Sequence, residues 1–453
     1  MQEHSIARGT TTSLNDVNDV PAHWSRNRRD FLRILGSGAA LAALGPLAAC
    51  SSGHAASRSD ELRNQLLADE RFWADVAGMF TLDPARRFLN VGTAGSMPKV
   101  ALDMFDSENR TKARESGNGY SNLLAERTQV APGFGVDGRT RLFGEHLVRH
   151  VPRHPGPGLA AGRIGNNQTA ALYATLFDSR IRELRTQGKR VRAMMFSAPS
   201  YKTGTMLPIA ELMEIAKLHG LVSIVDGAHL PGMMAYDYAQ LGMDFMSGAG
   251  HKWQCGPGST GILIVRNKIR ASNPLPLPNW FPIHTSSWTP RARSTGGSAS
   301  WDIAATITAC GSLHTPLFHA LVSSCALWDR IGRKKIETYD LALSAYLKER
   351  ITGIWGVERL YSPKDDPKLV SAVTSFNPFI NPADVMNSAK SGEFVARMLS
   401  DYSPGFVIRN VNFPVIGAAS DHYAIRISTH LWTSVEDIDR LVGAMADLAG
   451  KMG

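Results

Sequence analysis

Two apolar, β-rich runs, VRAMMFSAP (191–199) and LVSIVDGAH (221–229), bracket a segment with helical spacing, IAELMEIAKLHG (209–220). Neither run alternates regularly, so each reads as a strand buried on both faces, and strands joined through a helix run parallel. Gly220 stands where a helix C-cap is expected. A further helical stretch and a third strand, GILIV (261–265), continue the rhythm. The pattern predicts an α/β chain whose mostly parallel sheet is covered by helices on both faces.

Open parallel sheets bind ligands outside the carboxyl ends of their strands, and Asp226 ends the second run. Taken alone it reads rather as a helix N-cap or a surface turn residue. His229 follows three residues later, and Lys252 lies in GAGHKWQCGPGSTG (248–261). A glycine-rich loop with a lysine suggests a phosphate cradle, but the P-loop lysine follows glycine and precedes Ser or Thr. Here His251 precedes Lys252 and Trp253 follows it. A carboxylate at a strand end and a lysine among cationic and apolar neighbours suit pyridoxal 5′-phosphate (PLP). The carboxylate keeps the ring nitrogen charged, and the amine takes the aldehyde. His229 and His251 remain open between cofactor contacts and core histidines.

The rest of the chain sets bounds on this reading. Its 453 residues, 43% of them hydrophobic, suffice for one large and one smaller core. The formal charge of +9 is dispersed, without the basic blocks of a nucleic-acid groove. Cysteines occur only at 50, 255, 310 and 325, without C-x-x-C spacing, so neither a disulfide framework nor a metal site is indicated. NRRDFLR (27–33) followed by an uncharged small and apolar run to Cys50 has the order of an export signal. Arg28 and Arg29 with Phe31 and Leu32 resemble a twin-arginine signal, and LAAC (47–50) resembles a lipobox. Both point to the periplasm or cell envelope, with lipid anchoring through Cys50 as one outcome.

The organisation expected is a signal over 1–50, a linker and helix over 51–85, a PLP-binding large domain over 86–310, and a connecting helix with a small α+β domain over 311–453. Ser434 with Asp437 has the form of an N-cap and its acidic partner. The segment 137–165, rich in Arg, His, Pro and Gly, reads as an irregular exposed loop.

VDGAHLPG (225–232) and GAGHKWQCGPGSTG resemble the aspartate and lysine motifs of class V aminotransferases, the fold-type-I PLP enzymes. The HKW-x-x-GP form is most similar to the isopenicillin N epimerase-like branch. NVGTAGSMP (90–98) and IRISTHLWTSVEDIDRLV (425–442) resemble that branch's first glycine turn and C-terminal signature. The resemblance implies Lys252 as the internal aldimine lysine, Asp226 at the pyridine nitrogen, His229 near the ring hydroxyl and His251 on the phosphate. Ala249 stands where the family commonly has a phosphate-binding hydroxyl, and Ser247 is the candidate replacement. Arg426 is implied as the arginine of the substrate carboxylate. In place of 137–165 the family carries a β-α-β unit with a phosphate-binding turn and a ring-stacking residue, so part of the cofactor domain is expected to be lost or replaced, a frame slip being one cause. His146, His150 and His154 lack the flanking pattern of the stacking residue. The resemblance also implies a homodimer acting on a small-molecule or peptide amine, by epimerase, aminotransferase or related lyase chemistry. A catalytically impaired envelope scaffold is the alternative. No cysteine follows Cys325, which argues against the desulfurase branch.

Overall fold

The fold is described from a computed structural model over residues 57–115, 142–144, 169–238, 240–265, 292–295, 298–301, 314–379, 381–413 and 420–453. The export and lipobox expectations of residues 1–50 lie outside this range, as do His146, His150 and His154.

In chain order the first part comprises α1 (Arg58–Ala68), α2 (Glu70–Ala77), β1 (Arg86–Phe88), α3 (Lys99–Arg114), β2 (Leu142–Gly144), α4 (Ala170–Thr186), β3 (Ala193–Ser197), α5 (Ile209–Leu218), β4 (Val222–Asp226), β5 (Phe245–Ala249) and β6 (Thr260–Val265). A short hairpin, β7 (Ala292–Thr295) and β8 (Ser298–Trp301), follows. The remainder comprises α6 (Thr315–Ile331), α7 (Arg333–Trp355), β9 (Val373–Phe376), α8 (Ser388–Ser400), β10 (Gly405–Val407), β11 (Arg409–Phe413), β12 (His422–Ser428) and α9 (Val435–Met452).

Among the described residues the main sheet has the order β2-β6-β5-β4-β3. β3 and β4 are parallel, as the two apolar runs predict, with α5 making the crossover, and β5 lies parallel to β4. Two expectations are corrected. The described residues between Pro231 and Asp244 form turns rather than a helix, and FMSGA (245–249) is a strand in its own right. β6 then returns antiparallel to β5, because the lysine-bearing loop between them is a reversal and not a crossover. The segment 137–165 is not wholly irregular: Leu142–Gly144 forms a strand antiparallel to β6, and the rest lies outside the described residues.

A second sheet, β11-β12-β9, is antiparallel and carries the C-terminal signature on its central strand. β12 is buried along Ala424–Ser428, including Arg426. α9 packs an apolar stripe from Val435 to Ala449. It opens with the expected cap: Ser434 Oγ accepts from the Asp437 amide at 3.0 Å, and Asp437 Oδ2 accepts from the Ser434 amide at 3.1 Å. The long helical stretch expected after 311 is two helices, α6 and α7, broken at Gly332.

α7 buries a lysine. Lys348 is 2% exposed, and its Nζ donates to the Ser371 carbonyl at 3.3 Å. Burial pushes its pKa from 10.5 down to about 7. Between those values the unfolded chain binds the extra proton, so this residue makes stability rise with pH; below about 7 both states are charged and the penalty is complete. Lys348→Met is therefore expected to stabilise the fold by roughly 2–4 kcal/mol below neutral pH and by much less near pH 10. Urea denaturation of both proteins at the two pH values measures the difference.

Candidate active site

The parallel register sets Ser197 and Asp226, at the carboxyl ends of β3 and β4, side by side with Ser247 in the middle of β5. Asp226 Oδ2 accepts from Ser197 Oγ at 3.1 Å, and Oδ1 accepts from the Ala228 amide at 3.1 Å. These two bonds hold the carboxylate over the turn that leads to His229.

Lys252 lies in the reversal between β5 and β6. The Gly250 amide donates to the Thr260 carbonyl at 2.9 Å, and the Cys255 amide donates to the Lys252 carbonyl at 3.0 Å. His251 Nδ1 donates to the Thr260 carbonyl at 3.2 Å. The residues that follow are anchored rigidly: Trp253, Gln254 and Cys255 are 0% exposed. Ser324 Oγ on α6 donates to the Gln254 carbonyl, and Arg333 Nη1 donates to Gln254 Oε1 at 3.0 Å. His430 Nε2 donates to the Trp253 carbonyl at 3.0 Å while its Nδ1 lies 2.8 Å from Asp340 Oδ2. Lys252 itself is only half-buried, so its amine projects from a fixed base.

The turn 90–98 docks directly on this base. The Gly95 amide donates to the His251 carbonyl at 2.7 Å. A β-carbon at Gly95 would lie 2.1 Å from the Lys252 carbonyl oxygen and 2.7 Å from Cys255 Sγ, so only glycine permits the contact.

Three predicted site residues converge above it. Lys252 Nζ lies 3.3 Å from His229 Nε2, and Trp253 Nε1 donates to His229 Nδ1 at 3.0 Å. Burial, and then Lys252, Arg426 and His251, hold the His229 imidazole well below its ordinary pKa, so it is neutral. Gly92 lies between His229 and the β12 residues: a β-carbon there would be 3.1 Å from His229 Cε1, 2.9 Å from Ser428 Oγ and 3.5 Å from Arg426 Nη2.

Arg426 is 1% exposed. Its Nη1 donates to the Tyr201 carbonyl at 3.1 Å, and Nη2 donates to Asn90 Oδ1 at 2.8 Å and Thr93 Oγ1 at 2.9 Å. Among the described residues its Nε and the nearby Ser428 Oγ are buried without a partner. Arg409, opposite Arg426 across β11 and β12, also donates to Thr93 Oγ1, at 3.1 Å. Burial, and then the Arg409 cation, push the Arg426 guanidinium from 12.5 down to about 10. Two guanidinium groups that share a hydroxyl, one with an unused N–H, form a site suited to an anion.

The sequence reading missed Asn90, Thr93, Trp253 and Arg409 as site residues. Asn90 and Thr93 lie within the resembled glycine turn, and Trp253 within the lysine motif, so position within a motif was the available signal. Arg409 carried none.

The chain matches the family model described as "Aminotransferase class-V" over residues 177–441. It is 27% identical over 429 residues to isopenicillin N epimerase of Streptomyces clavuligerus, an alignment covering 84% of this chain and 99% of that protein. The apo cysteine desulfurase of Thermococcus onnurineus NA1 superposes with TM-score 0.61 at 19% identity, covering 83% of this chain and 98% of that one. A C-DES variant with glycine covalently linked to its PLP cofactor superposes with TM-score 0.58 at 18% identity, covering 83% and 99%. These structures establish the fold-type-I architecture expected from the sequence.

The docking of the turn on the lysine loop yields a stability prediction. Gly95→Ala is expected to lower the unfolding free energy by about 2 kcal/mol or more, since the clash is with backbone. Gly443→Ala, at an exposed position of α9 with nothing within 4 Å, is expected to raise it by up to about 1 kcal/mol. Urea titration of the two variants checks the opposite signs.

Proposed function

Because the chain belongs to the class V aminotransferase family, matched over more than half its length, we propose that it acts on the amino group of a carboxylate-bearing amino acid or peptide. The family's cofactor is PLP, and the donor set fits it: an amine, a carboxylate at a strand end, a neutral imidazole, and a buried Arg426 Nε and Ser428 Oγ left without partners. In this reading Lys252 takes the aldehyde, Asp226 holds the ring nitrogen, His229 faces the ring hydroxyl, and His251 and Ser247 hold the phosphate. When bound, PLP supplies a sink for the electron pair left at Cα when a bond there breaks.

The chain's own residues do the rest. Arg426 fixes the substrate carboxylate through a planar fork whose orientation Asn90, Thr93 and Tyr201 preset. Arg409 adds a second positive charge at the same hydroxyl and strengthens the field on an incoming anion. Lys252, on a half-buried flexible stem, moves the Cα proton. The rigid turn beneath it returns Nζ to the same place after each transfer. The observation that carries the reading is the chain of contacts in which Lys252 meets His229, and His229 and Arg426 flank Gly92. The epimerase likeness, which spans nearly the whole of that relative, favours proton movement at Cα as the reaction to test first.

The PLP-loaded protein is expected to exchange the Cα hydrogen of an accepted amino acid with deuterated water. Lys252→Ala lowers that rate by about a thousandfold. Arg426→Gln raises KM roughly 30-fold or more, because the carboxylate loses a buried charged partner. Exchange at an undiminished rate in Lys252→Ala would contradict the proposal.

A further inference from the structure

The contact between Lys252 and His229 contains a constraint on protons. Indole Nε1 of Trp253 lies 3.0 Å from His229 Nδ1 and can only donate, so Nδ1 is the acceptor there. A neutral imidazole that accepts at Nδ1 carries its hydrogen on Nε2. That nitrogen faces Lys252 Nζ at 3.3 Å. An ammonium also only donates, so the charged lysine would set donor against donor, whereas the neutral amine offers a lone pair.

Trp253 is well suited to enforce this arrangement. It is 0% exposed, its carbonyl accepts from His430 Nε2 at 3.0 Å, and its ring packs edge-on to His430 with centroids 5.3 Å apart. The indole N–H therefore has little freedom to turn away from His229. Burial opposes a proton on the His229 ring, and the Arg426 cation on β12 acts in the same sense.

We propose that Trp253 is a positioning residue that fixes His229 as the Nε2–H tautomer and so selects the neutral amine of Lys252. The inference rests on Lys252 being the reacting amine and adds how it is kept reactive. The proton released by the ammonium passes to solvent, and the lone pair left on Nζ is the one that adds to an aldehyde carbon. Without the indole N–H, the imidazole is free to turn a bare nitrogen toward the lysine, which then stabilises the ammonium instead.

The test is reductive methylation of the full chain, stripped of cofactor, with formaldehyde and cyanoborohydride from about pH 6 to about pH 10. Modification of Lys252 is followed by peptide mass mapping, with Lys217, whose side chain is 80% exposed, as internal reference. In Trp253→Phe the pH midpoint of Lys252 modification is expected to rise by about one pH unit or more, while that of Lys217 stays in place. Equal Lys252 midpoints in the two proteins would overturn the proposal. Should Trp253→Phe not fold, nitrogen NMR of the wild-type chain with labelled histidine decides, the signal being assigned by its loss in His229→Gln. Hydrogen on Nε2 supports the proposal and hydrogen on Nδ1 overturns it. Formaldehyde asks nothing of a PLP site, so a failed cofactor reading leaves this shift intact, and a failed shift leaves cofactor attachment to be judged by its own experiment.

Discussion

The 2.7 Å hydrogen bond from the Gly95 amide to the His251 carbonyl joins the two loops on which the site depends. One loop reverses the chain between β5 and β6 and carries Lys252; the other follows β1 and carries Asn90, Gly92 and Thr93. Their backbones approach so closely that no β-carbon fits at position 95. From this contact the rest of the arrangement follows. Asn90 and Thr93 become the acceptors that orient Arg426, and Gly92 leaves space between that guanidinium and His229. A shift of the turn would move the Arg426 guanidinium relative to the Lys252 amine, the two groups that the proposed function brings to one substrate.

Behind the lysine loop lies a second, wholly buried support. Asp340 and His430 are each 0% exposed, and Asp340 Oδ1 lacks a partner among the described residues. Burial pushes the Asp340 carboxyl up against the pull of His430, so desolvation is the larger influence on this pair. Whichever group holds the shared proton, His430 Nε2 must donate, because the Trp253 carbonyl can only accept. The pair thus fixes the backbone beside Lys252 from below while the glycine turn fixes it from above. These supports act on the backbone beside Lys252, whose half-buried side chain reaches His229 Nε2 at 3.3 Å.

Much of this was legible in the sequence, for physical reasons that also mark where legibility ended. The runs 191–199 and 221–229 appear as β3 and β4, but only β4 is buried on both faces, as its unbroken apolar composition predicts; β3, at the end of the described sheet, leaves Ala193 and Met195 exposed. FMSGA did not read as a strand: it is short and holds Ser and Gly, and its place depends on pairing with β4 and β6. Lys252, His229 and Arg426 were recognisable from local motifs, and the structure brings them together. Arg409 and Thr93 were not, since their role exists only where residues 316 positions apart in the chain share one hydroxyl. The Trp253–His229 bond, spanning 24 positions, had no local signature either.

The account centres on the amine of Lys252 as the point of cofactor attachment, and covalent trapping tests it most directly. The purified full-length chain, incubated with PLP and reduced with borohydride, would be digested and mapped by mass spectrometry. A pyridoxyl group on Lys252, with loss of the visible absorbance on reduction, is the predicted result. A folded protein that carries the group on a different lysine, or takes up none, would contradict it.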